Sequence, residues 1–375
     1  MLGLIPRLIT GLHLAAALAI LVGCGEFAQQ SATADITSDG KTRLQGAGAT
    51  FPAPLYKRLV VVYEGINPEV MIDYQSIGSG GGIRAITDKT VHFCGSDAPM
   101  SEKEIAAAGG AENILEIPAC AGGIVPTYNV QGITTRLKFT GKLLADIYTG
   151  AVSMWNDPAI AAINPGVKLP ALPITPVWRT DGSGTTFIYT GYLATQSEEF
   201  ATTIGLGKQV QWPFGQGGKG NEGVTAIVQQ TNGGLGYVEQ SYAENNRLLG
   251  GTVQNGEGEF VAASPESVSK AGAGSAANLQ GQRLVADIWN QPGKGAYPIS
   301  SFTYLVVYKD LNNLPDQVSA QNLIDFIWWA THDGQRYAAE LGYAPLALEV
   351  QAKVEIALSG ITYRGRPLTN NKQGT

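Results

Sequence analysis

Three short segments of this chain each place a hydroxyl residue among glycines, just before a run with helical periodicity. The segments are residues 48–52 (Gly-Ala-Thr-Phe-Pro), 78–82 (Gly-Ser-Gly-Gly-Gly) and 181–185 (Asp-Gly-Ser-Gly-Thr). Each is typical of a helix N-terminus, where free backbone N–H groups and the positive end of the helix dipole favour an anion. One such segment is common, but three in one chain predict that several helix ends converge on one small oxyanion.

From residue 44 onward, short apolar runs alternate with glycine-rich turns and helical patterns. Residues 70–74 are predicted as a strand, and residues 83–87 as a helix started by the glycines before them. This alternation is typical of an α/β protein with a mostly parallel sheet, in which ligand-binding loops follow the carboxyl ends of the strands. Because 375 residues exceed one ordinary core, we expect two lobes. Residues 251–281 are rich in Gly, Ser and Ala with little pattern, and they are predicted as a surface excursion.

The charge of the chain limits the class of ligand. The formal net charge is −6, with 15% charged residues. A protein that binds the phosphate backbone of nucleic acid needs a basic surface, so nucleic acid is not expected as a partner. A negative surface does not attract an oxyanion either, so any anion selectivity must come from donors inside a cleft.

Residues 1–23 have the pattern of a secretory signal, because Arg7 precedes an apolar stretch that is shorter than a typical membrane-spanning helix. The stretch ends in Leu-Val-Gly-Cys, which resembles the lipobox of bacterial lipoproteins, with cleavage before Cys24 and lipid on its thiol. The alternative is an ordinary secretory signal, which would leave Cys24 as an odd thiol. Residues 24–43 are predicted as a flexible tether. We therefore expect an exported protein in the periplasm or at the cell surface, anchored to the membrane through Cys24.

The segment around Arg179 carries the most specific chemistry. A tetrahedral oxyanion offers many lone pairs, so its site should consist almost wholly of donors: hydroxyls, backbone N–H groups and one guanidinium. Arg179 would supply the positive charge, Asp181 would hold the guanidinium in place, and Ser183 would add a hydroxyl. The alternative is a capped helix after an edge turn, with Arg179 in a surface ion pair.

A carboxylate within an anion site would discriminate between oxyanions. Phosphate keeps a proton on part or all of its population at neutral pH, whereas sulfate has none. Asp97, in the segment Cys-Gly-Ser-Asp-Ala-Pro, could accept that proton and would repel a fully ionised anion. The predicted ligand is therefore inorganic phosphate, with no cofactor. The alternative for Asp97 is an N-cap or Asx turn before Pro99.

Enzyme motifs do not fit this sequence. After the signal the chain has His92 and His332, neither in a metal-ligand spacing, so no metal site is predicted. Ser183 lacks the flanking pattern of a hydrolase nucleophile, and residues 215–220 lack the Ser or Thr of a Walker A loop. We therefore predict no catalytic residues and no enzyme. A secreted phosphatase that uses Ser183 is the weaker alternative.

Cys94 and Cys120 both lie in apolar runs that are predicted as strands. An oxidising compartment would permit a disulfide between them. The alternative is that both are small buried hydrophobic residues.

Taken in order, these motifs resemble the periplasmic phosphate-binding proteins of phosphate-specific ABC transporters. The resemblance covers nearly all of the chain after the signal, and it is carried by residues 46–54, 77–82, 96–99, 181–185, 212–213, 217–221 and 236–239. It implies a two-lobed α/β periplasmic-binding-protein fold (type II), in which each lobe is a mixed sheet flanked by helices and the ligand lies in the interlobe cleft. It also implies a first lobe of residues 44–124 and 298–375 and a second lobe of residues 125–297.

The resemblance further implies a set of phosphate-binding residues and a function. The phosphate-binding set in this chain would be Ala49, Thr50, Phe51, Ser79, Asp97, Arg179, Ser183, Gly184 and Thr185, with Asp181 orienting Arg179. The implied function is high-affinity capture of phosphate by lobe closure, followed by delivery to membrane permease subunits and their ATPase. We expect a monomer. A surface protein that keeps the cleft for phosphate sensing or for adhesion is the remaining alternative.

Overall fold

The computed structural model describes residues 40–281 and 283–368, where strands and helices alternate. The strands are β1 (Thr42–Gly48), β2 (Val70–Ser76), β3 (Phe93–Ser96), β4 (Ile114–Asn129), β5 (Lys138–Phe139), β6 (Thr175–Arg179), β7 (Gln216–Gly218), β8 (Gly234–Glu239), β9 (Leu249–Gly250), β10 (Thr252–Gln254), β11 (Phe260–Val261), β12 (Ser300–Tyr308), β13 (Thr362–Tyr363) and β14 (Arg366–Pro367). The α-helices are α1 (Ala53–Ile66), α2 (Ser79–Thr87), α3 (Glu102–Ala107), α4 (Gly141–Thr149), α5 (Pro158–Ile163), α6 (Gly184–Gln196), α7 (Glu198–Thr203), α8 (Gly220–Gln230), α9 (Gln240–Asn245), α10 (Pro265–Gly272), α11 (Gln317–Thr331) and α12 (Leu348–Ser359).

The main sheet is mixed. Its strand order is β2-β1-β3-β12-β4-β8-β6-β7, with β9 also paired to β4. β1 is parallel to β2 and β3, and β6 is parallel to β7 and β8. At the centre, β12 is antiparallel to β3 and β4, and β4 is antiparallel to β8. The prediction of a mostly parallel sheet is therefore wrong for the centre of the sheet and correct for its outer strands.

Strand β4 joins two halves of this sheet. Residues 114–123 pair with β12, and residues 124–129 pair with β8. Every residue of β4 except Asn129 is buried, as is every residue of β12. Such burial is expected for central strands that are covered on both faces. We call the strands from β2 to β12 the first half of the sheet and those from β8 to β7 the second half.

Four helices begin shortly after the carboxyl ends of parallel strands. α1 follows β1, α2 follows β2, α6 follows β6 and α8 follows β7. β1 and β2 are parallel to each other, as are β6 and β7, so within each half of the sheet the helix N-termini lie at one edge. The two pairs run in opposite directions on either side of the junction between residues 123 and 124 of β4, so these two edges face each other. The three glycine-flanked segments of the sequence lie at the starts of α1, α2 and α6, and α8 adds a fourth helix start.

The structure corrects one predicted boundary and adds detail to one predicted segment. β1 begins at Thr42, inside the segment predicted as a tether. Residues 251–281 contain β10, β11 and α10, and α10 is capped by Ser264 in a capping box with Ser267. The predicted signal at residues 1–23, Cys24 and the tether up to residue 39 lie outside the described residues. Within the described residues, the helices are too short or too polar to span a bilayer.

Cys94 and Cys120 are both buried and are not bonded to each other. Cys94 pairs with Val306 on one side of β12, while Cys120 pairs with Thr303 on the other side. With β12 between them, their backbones are separated by two strand spacings, about 9.5 Å. A disulfide needs Cα atoms within roughly 7 Å. The structure therefore corrects the disulfide alternative, and both thiols lie in the core as small apolar groups.

Candidate functional site

The N-termini of α1, α2, α6 and α8 meet between the two halves of the sheet. The Gly184 N–H donates to the Ser79 hydroxyl across 3.1 Å, which joins the start of α6 to the start of α2. The Asn221 side-chain amide donates to the Thr50 hydroxyl across 2.7 Å, which joins α8 to the segment before α1. The site therefore combines four positive helix ends, a setting that favours an anion.

Arg179, the last residue of β6, places a buried cation in this site. Its side chain is 0% exposed. Nε and Nη2 donate to the two carboxylate oxygens of Asp181 across 2.8 and 2.5 Å, and Nη1 donates to the Thr185 hydroxyl across 3.3 Å. A two-point pair of this kind fixes the plane of the guanidinium. The alternative of a surface ion pair does not fit a fully buried side chain.

Asp181 is held in its ionised form by its partners. Burial alone would raise its pKa, but the hydrogen bonds and charge of Arg179, with a further bond from the Gly220 N–H, lower the pKa below its ordinary value. The pair of Arg179 and Asp181 is therefore close to neutral overall. A ligand at this place would meet oriented donors rather than a large excess of positive charge.

Asp97 lies directly after β3 and is 2% exposed. The Thr303 hydroxyl donates to its Oδ1 across 2.8 Å, and the Ser79 hydroxyl lies 3.4 Å from its Oδ2. Burial raises the pKa of Asp97 to about 7, against the lowering effects of Thr303, Arg179 and Ser79. The N-cap of the next helix, α3, is Ser101, so that capping role is already filled. A carboxyl group that titrates near neutral pH can accept a proton from a ligand.

Gly184, at the start of α6 in the second half of the sheet, lies very close to Asp97 and Ser79 of the first half. A Cβ added to residue 184 would lie 2.5 Å from the Asp97 Cβ and 2.5 Å from the Ser79 Oγ. Real Cβ atoms do not approach other atoms this closely. Only glycine at residue 184 therefore permits this packing, which gives a physical reason for the glycine beside Ser183.

The three candidate residues before α1, Ala49, Thr50 and Phe51, differ in whether their backbone N–H groups are available to a ligand. The Ala49 N–H donates to the Gly95 carbonyl across 2.8 Å, and the Ala49 carbonyl accepts the Tyr74 hydroxyl across 2.9 Å. Because both backbone groups are used within the protein, the structure does not favour Ala49 as a ligand contact. The backbone N–H groups of Thr50 and Phe51 have no acceptor among the described residues, and both residues are buried.

Two hydroxyls at the helix starts already accept hydrogen bonds. Ser183 caps α6 by accepting the Thr186 N–H across 3.0 Å. Ser79 accepts the N–H groups of Gly184 and Asp97, across 3.1 and 3.2 Å. A hydroxyl that accepts in this way still has its own proton to donate. Ser79 directs that proton at the Asp97 Oδ2 across 3.4 Å. The Gly184 N–H, in contrast, could contact a ligand only by giving up its bond to Ser79.

Two residues of this site, Asn221 and Thr303, were not assigned a role from the sequence. Asn221 is fully buried and follows the glycine-rich turn before α8, a pattern that matches the other three segments and could have been used. Thr303 lies 206 residues after Asp97. Its position depends on the pairing of β12 with β3, for which the local sequence gives no signal.

The two histidines of the described residues, His92 and His332, lie apart from the site. His92 accepts the Gln45 N–H at Nδ1, and burial lowers its pKa to about 4. His332 ends α11 and stacks on Trp328. Among the described residues there is no group of three or more His, Cys, Asp or Glu side chains suited to a metal ion. The arrangement thus consists of hydrogen-bond donors, one buried ion pair and one buried carboxyl group.

Several known proteins with a similar sequence or fold are named as phosphate-binding proteins. Residues 31–333 match the model of the PBP superfamily domain. A protein from Pasteurella multocida named phosphate-binding protein PstS is 42% identical over 324 residues, which cover 85% of this chain and 90% of that protein. Among solved structures, a high-affinity periplasmic phosphate-binding protein (PfluDING) bound with phosphate has a similar fold, with a TM-score of 0.68 at 18% identity, covering 84% of this chain and 93% of that one. An ABC-type phosphate transport receptor from Vibrio cholerae gives a TM-score of 0.52 at 15% identity, covering 81% of this chain and all of that one.

Proposed function

The chain belongs to the PstS family of phosphate-binding proteins within the PBP superfamily, and from this membership and the site we propose that it binds inorganic phosphate outside the cytoplasm and delivers it to an ABC importer. The observation that carries this proposal is the meeting of four helix N-termini around the buried guanidinium of Arg179. Backbone N–H groups and hydroxyls at helix starts suit a small tetrahedral oxyanion. We infer binding without catalysis.

The proposed ligand set keeps most of the residues expected from the sequence. Oriented N–H groups of Thr50 and Phe51, with the Thr50 hydroxyl, would approach phosphate from the start of α1. The Arg179 guanidinium and the hydroxyls of Ser183 and Thr185 would approach it from the second half of the sheet. Ser79 and Gly184 are the remaining candidates, and they would change partners when phosphate binds, since they bond to each other across 3.1 Å. Ala49 is dropped from the set, because its backbone groups are already paired.

We propose that the two halves of the sheet belong to two lobes that close on the anion, with residues 44–124 and 298–375 in one and residues 125–297 in the other. Hydrogen bonds between the halves support this division, because they join the starts of helices that would enclose the ligand. Closure would remove water from the site and add the donors of the second lobe to those of the first. Each donor then acts in a region of low dielectric, where hydrogen bonds to an anion are strong.

Asp97 would select phosphate over sulfate. Its carboxyl group is buried, and in its ionised form it would accept a hydrogen bond from a phosphate that carries a proton. Sulfate brings no proton at this pH, and it would leave two acceptors facing each other in a buried site. An unpaired buried charge is costly, so the discrimination should be large.

Several further parts of the proposal concern the cellular setting. The partners would be the permease subunits of a phosphate importer with their ATPase, and the protein would act as a monomer. After removal of the signal, Cys24 would carry a lipid anchor. The anchor would hold the exported protein at the membrane. Intact-mass measurement of protein purified from membranes tests the anchor, since acylation at Cys24 adds a defined mass to the mature chain.

Titration calorimetry with phosphate, arsenate and sulfate tests the proposed function. We expect tight binding of phosphate, similar binding of arsenate because it has the same shape and protonation, and no measurable binding of sulfate. A phosphoester hydrolysis assay on the same preparation addresses the phosphatase alternative. Failure of the wild-type protein to bind phosphate would overturn the proposal.

A further inference from the structure

We propose that Asn221 is a positioning residue that turns the hydroxyls of Thr50 and Thr185 into donors directed at the anion. This inference rests on the proposed function and goes beyond it, because it assigns the orientation of two ligand groups to a residue outside the ligand set. Asn221 is fully buried at the start of α8, where it lies between two segments that are distant in sequence.

The first step of the argument concerns the donors of Asn221. Its backbone N–H donates to the Thr50 Oγ1 across 3.2 Å, and its Nδ2 donates to the same oxygen across 2.7 Å. The Nδ2 group also donates to the Thr185 Oγ1 across 3.2 Å. One amide thus contacts both threonine hydroxyls.

The second step concerns the orientation of the amide. The Glu239 N–H donates to the Asn221 Oδ1 across 3.0 Å. Rotating the side-chain amide by 180° would place Nδ2, a donor, against the N–H of Glu239, which is also a donor. The observed orientation avoids this clash and directs Nδ2 at the two hydroxyls. The backbone of β8 therefore fixes which end of the Asn221 side chain meets Thr50 and Thr185.

The third step concerns the lone pairs of the hydroxyls. A threonine hydroxyl has two lone pairs and one proton. The Thr50 oxygen accepts two hydrogen bonds from Asn221, and the Thr185 oxygen accepts one from Asn221 and one from the Arg179 Nη1 across 3.3 Å. With both lone pairs in use, each hydroxyl can only donate. The site thus offers phosphate two hydroxyl protons, and it leaves acceptance of the phosphate proton to Asp97.

A double-mutant cycle on phosphate affinity tests this role. Asn221→Ala and Thr50→Val should each weaken phosphate binding on the order of tenfold, the size expected for a hydrogen bond to a charged group. The losses should be clearly less than additive in the double variant, because the part of the Asn221 effect that passes through the Thr50 hydroxyl is already lost in Thr50→Val, and only the part through Thr185 remains. Fully additive losses, or wild-type affinity in Asn221→Ala, would overturn the proposal. Asn164→Ala removes another buried amide, one that bonds to Lys138 and Ile160, and should leave affinity unchanged.

A second measurement does not depend on phosphate. In the NMR spectrum of the ligand-free protein, the two side-chain amide protons of Asn221 should each respond to a different substitution. Thr50→Val should shift one and Thr185→Val the other, with faster solvent exchange of the proton that has lost its acceptor. Lack of any response to either substitution would show that Asn221 does not bond to the hydroxyls, even if phosphate binds well. Failure of the proposed function would appear separately, as absence of phosphate binding by a protein whose amide protons respond as expected.

Discussion

Lys208 Nζ lies 2.6 and 2.5 Å from the two carboxylate oxygens of Glu104. Glu104 belongs to α3, which follows a strand of the first half of the sheet, whereas the Lys208 carbonyl accepts the N–H of Ser183 across 2.8 Å. Both side chains line a cavity of about 590 Å³ that Asp181 also borders. Burial alone would raise the pKa of Glu104, but Lys208 and Ser101 lower it. The ion pair therefore joins the two proposed lobes beside the proposed phosphate site.

Lys208→Ala should speed the release of phosphate. The pair is partly exposed, with side-chain exposures of 18% and 26%, so the expected change is roughly two- to fivefold. Stopped-flow fluorescence during displacement of bound phosphate measures the rate. Lys103→Ala is the matched control, since Lys103 is an exposed lysine that lines the same cavity. Equal release rates in wild type and Lys208→Ala would mean that the pair does not hold the closed form together.

Asp97→Asn should reduce discrimination between phosphate and sulfate. The amide can donate to an oxyanion that brings no proton, so sulfate would no longer face a second acceptor. The ratio of phosphate to sulfate affinity should fall by at least about tenfold. Calorimetry with both anions at one pH measures it. An unchanged ratio would show that Asp97 does not set the selectivity.

Asp97→Asn should also stabilise the ligand-free protein at alkaline pH. Because burial raises the pKa of Asp97 from 3.8 to about 7, the folded protein binds more protons than the unfolded chain between these values. Stability therefore falls as pH rises through this window. The loss attributed to Asp97 is at most about 4 kcal/mol, and it is complete above the folded pKa. Denaturant unfolding should show a gain for the variant at pH 8 that disappears near pH 4, and a gain that is independent of pH would contradict this assignment.

Arg179→Ala should weaken phosphate binding between about tenfold and 100-fold, because it removes a charged donor and leaves the Asp181 carboxylate unpaired near the anion. The double variant Arg179→Ala, Asp181→Asn removes that unpaired charge. It should bind phosphate more tightly than Arg179→Ala alone. Affinities from calorimetry decide both points, and wild-type affinity in Arg179→Ala would place the anion elsewhere.

Much of this site could be predicted from the sequence because its signals are local. Residues 179–185 contain an arginine, an aspartate, glycines and hydroxyl residues close to one helix start, and in the structure Arg179 bonds to Asp181 while Ser183 caps α6. The family predicted from the motifs is confirmed by the similarity to PstS proteins. The α/β class is confirmed as well, since helix starts follow strand ends along the chain.

The features that escaped prediction depend on contacts between distant segments. Thr303 contacts Asp97 only because β12 returns from the C-terminal part of the chain and pairs with β3. The antiparallel pairing of β12 with β3 and β4 has the same origin: the alternation of strands and helices predicts a mostly parallel sheet, whereas the family resemblance implies the mixed sheet that the structure has. This pairing also separates Cys94 from Cys120. For Ala49, a role as ligand contact stays a prediction from its place in a motif, and the partners that occupy its backbone groups lie in other strands.

A crystal structure of the protein grown with phosphate tests the central claim most directly. We predict one tetrahedral anion enclosed by the starts of α1, α2, α6 and α8, within hydrogen-bond distance of the Thr50 hydroxyl, the Asp97 carboxyl group and the Arg179 guanidinium. Density for phosphate at any other place, with those three groups unchanged and still bonded only to protein, would contradict the account.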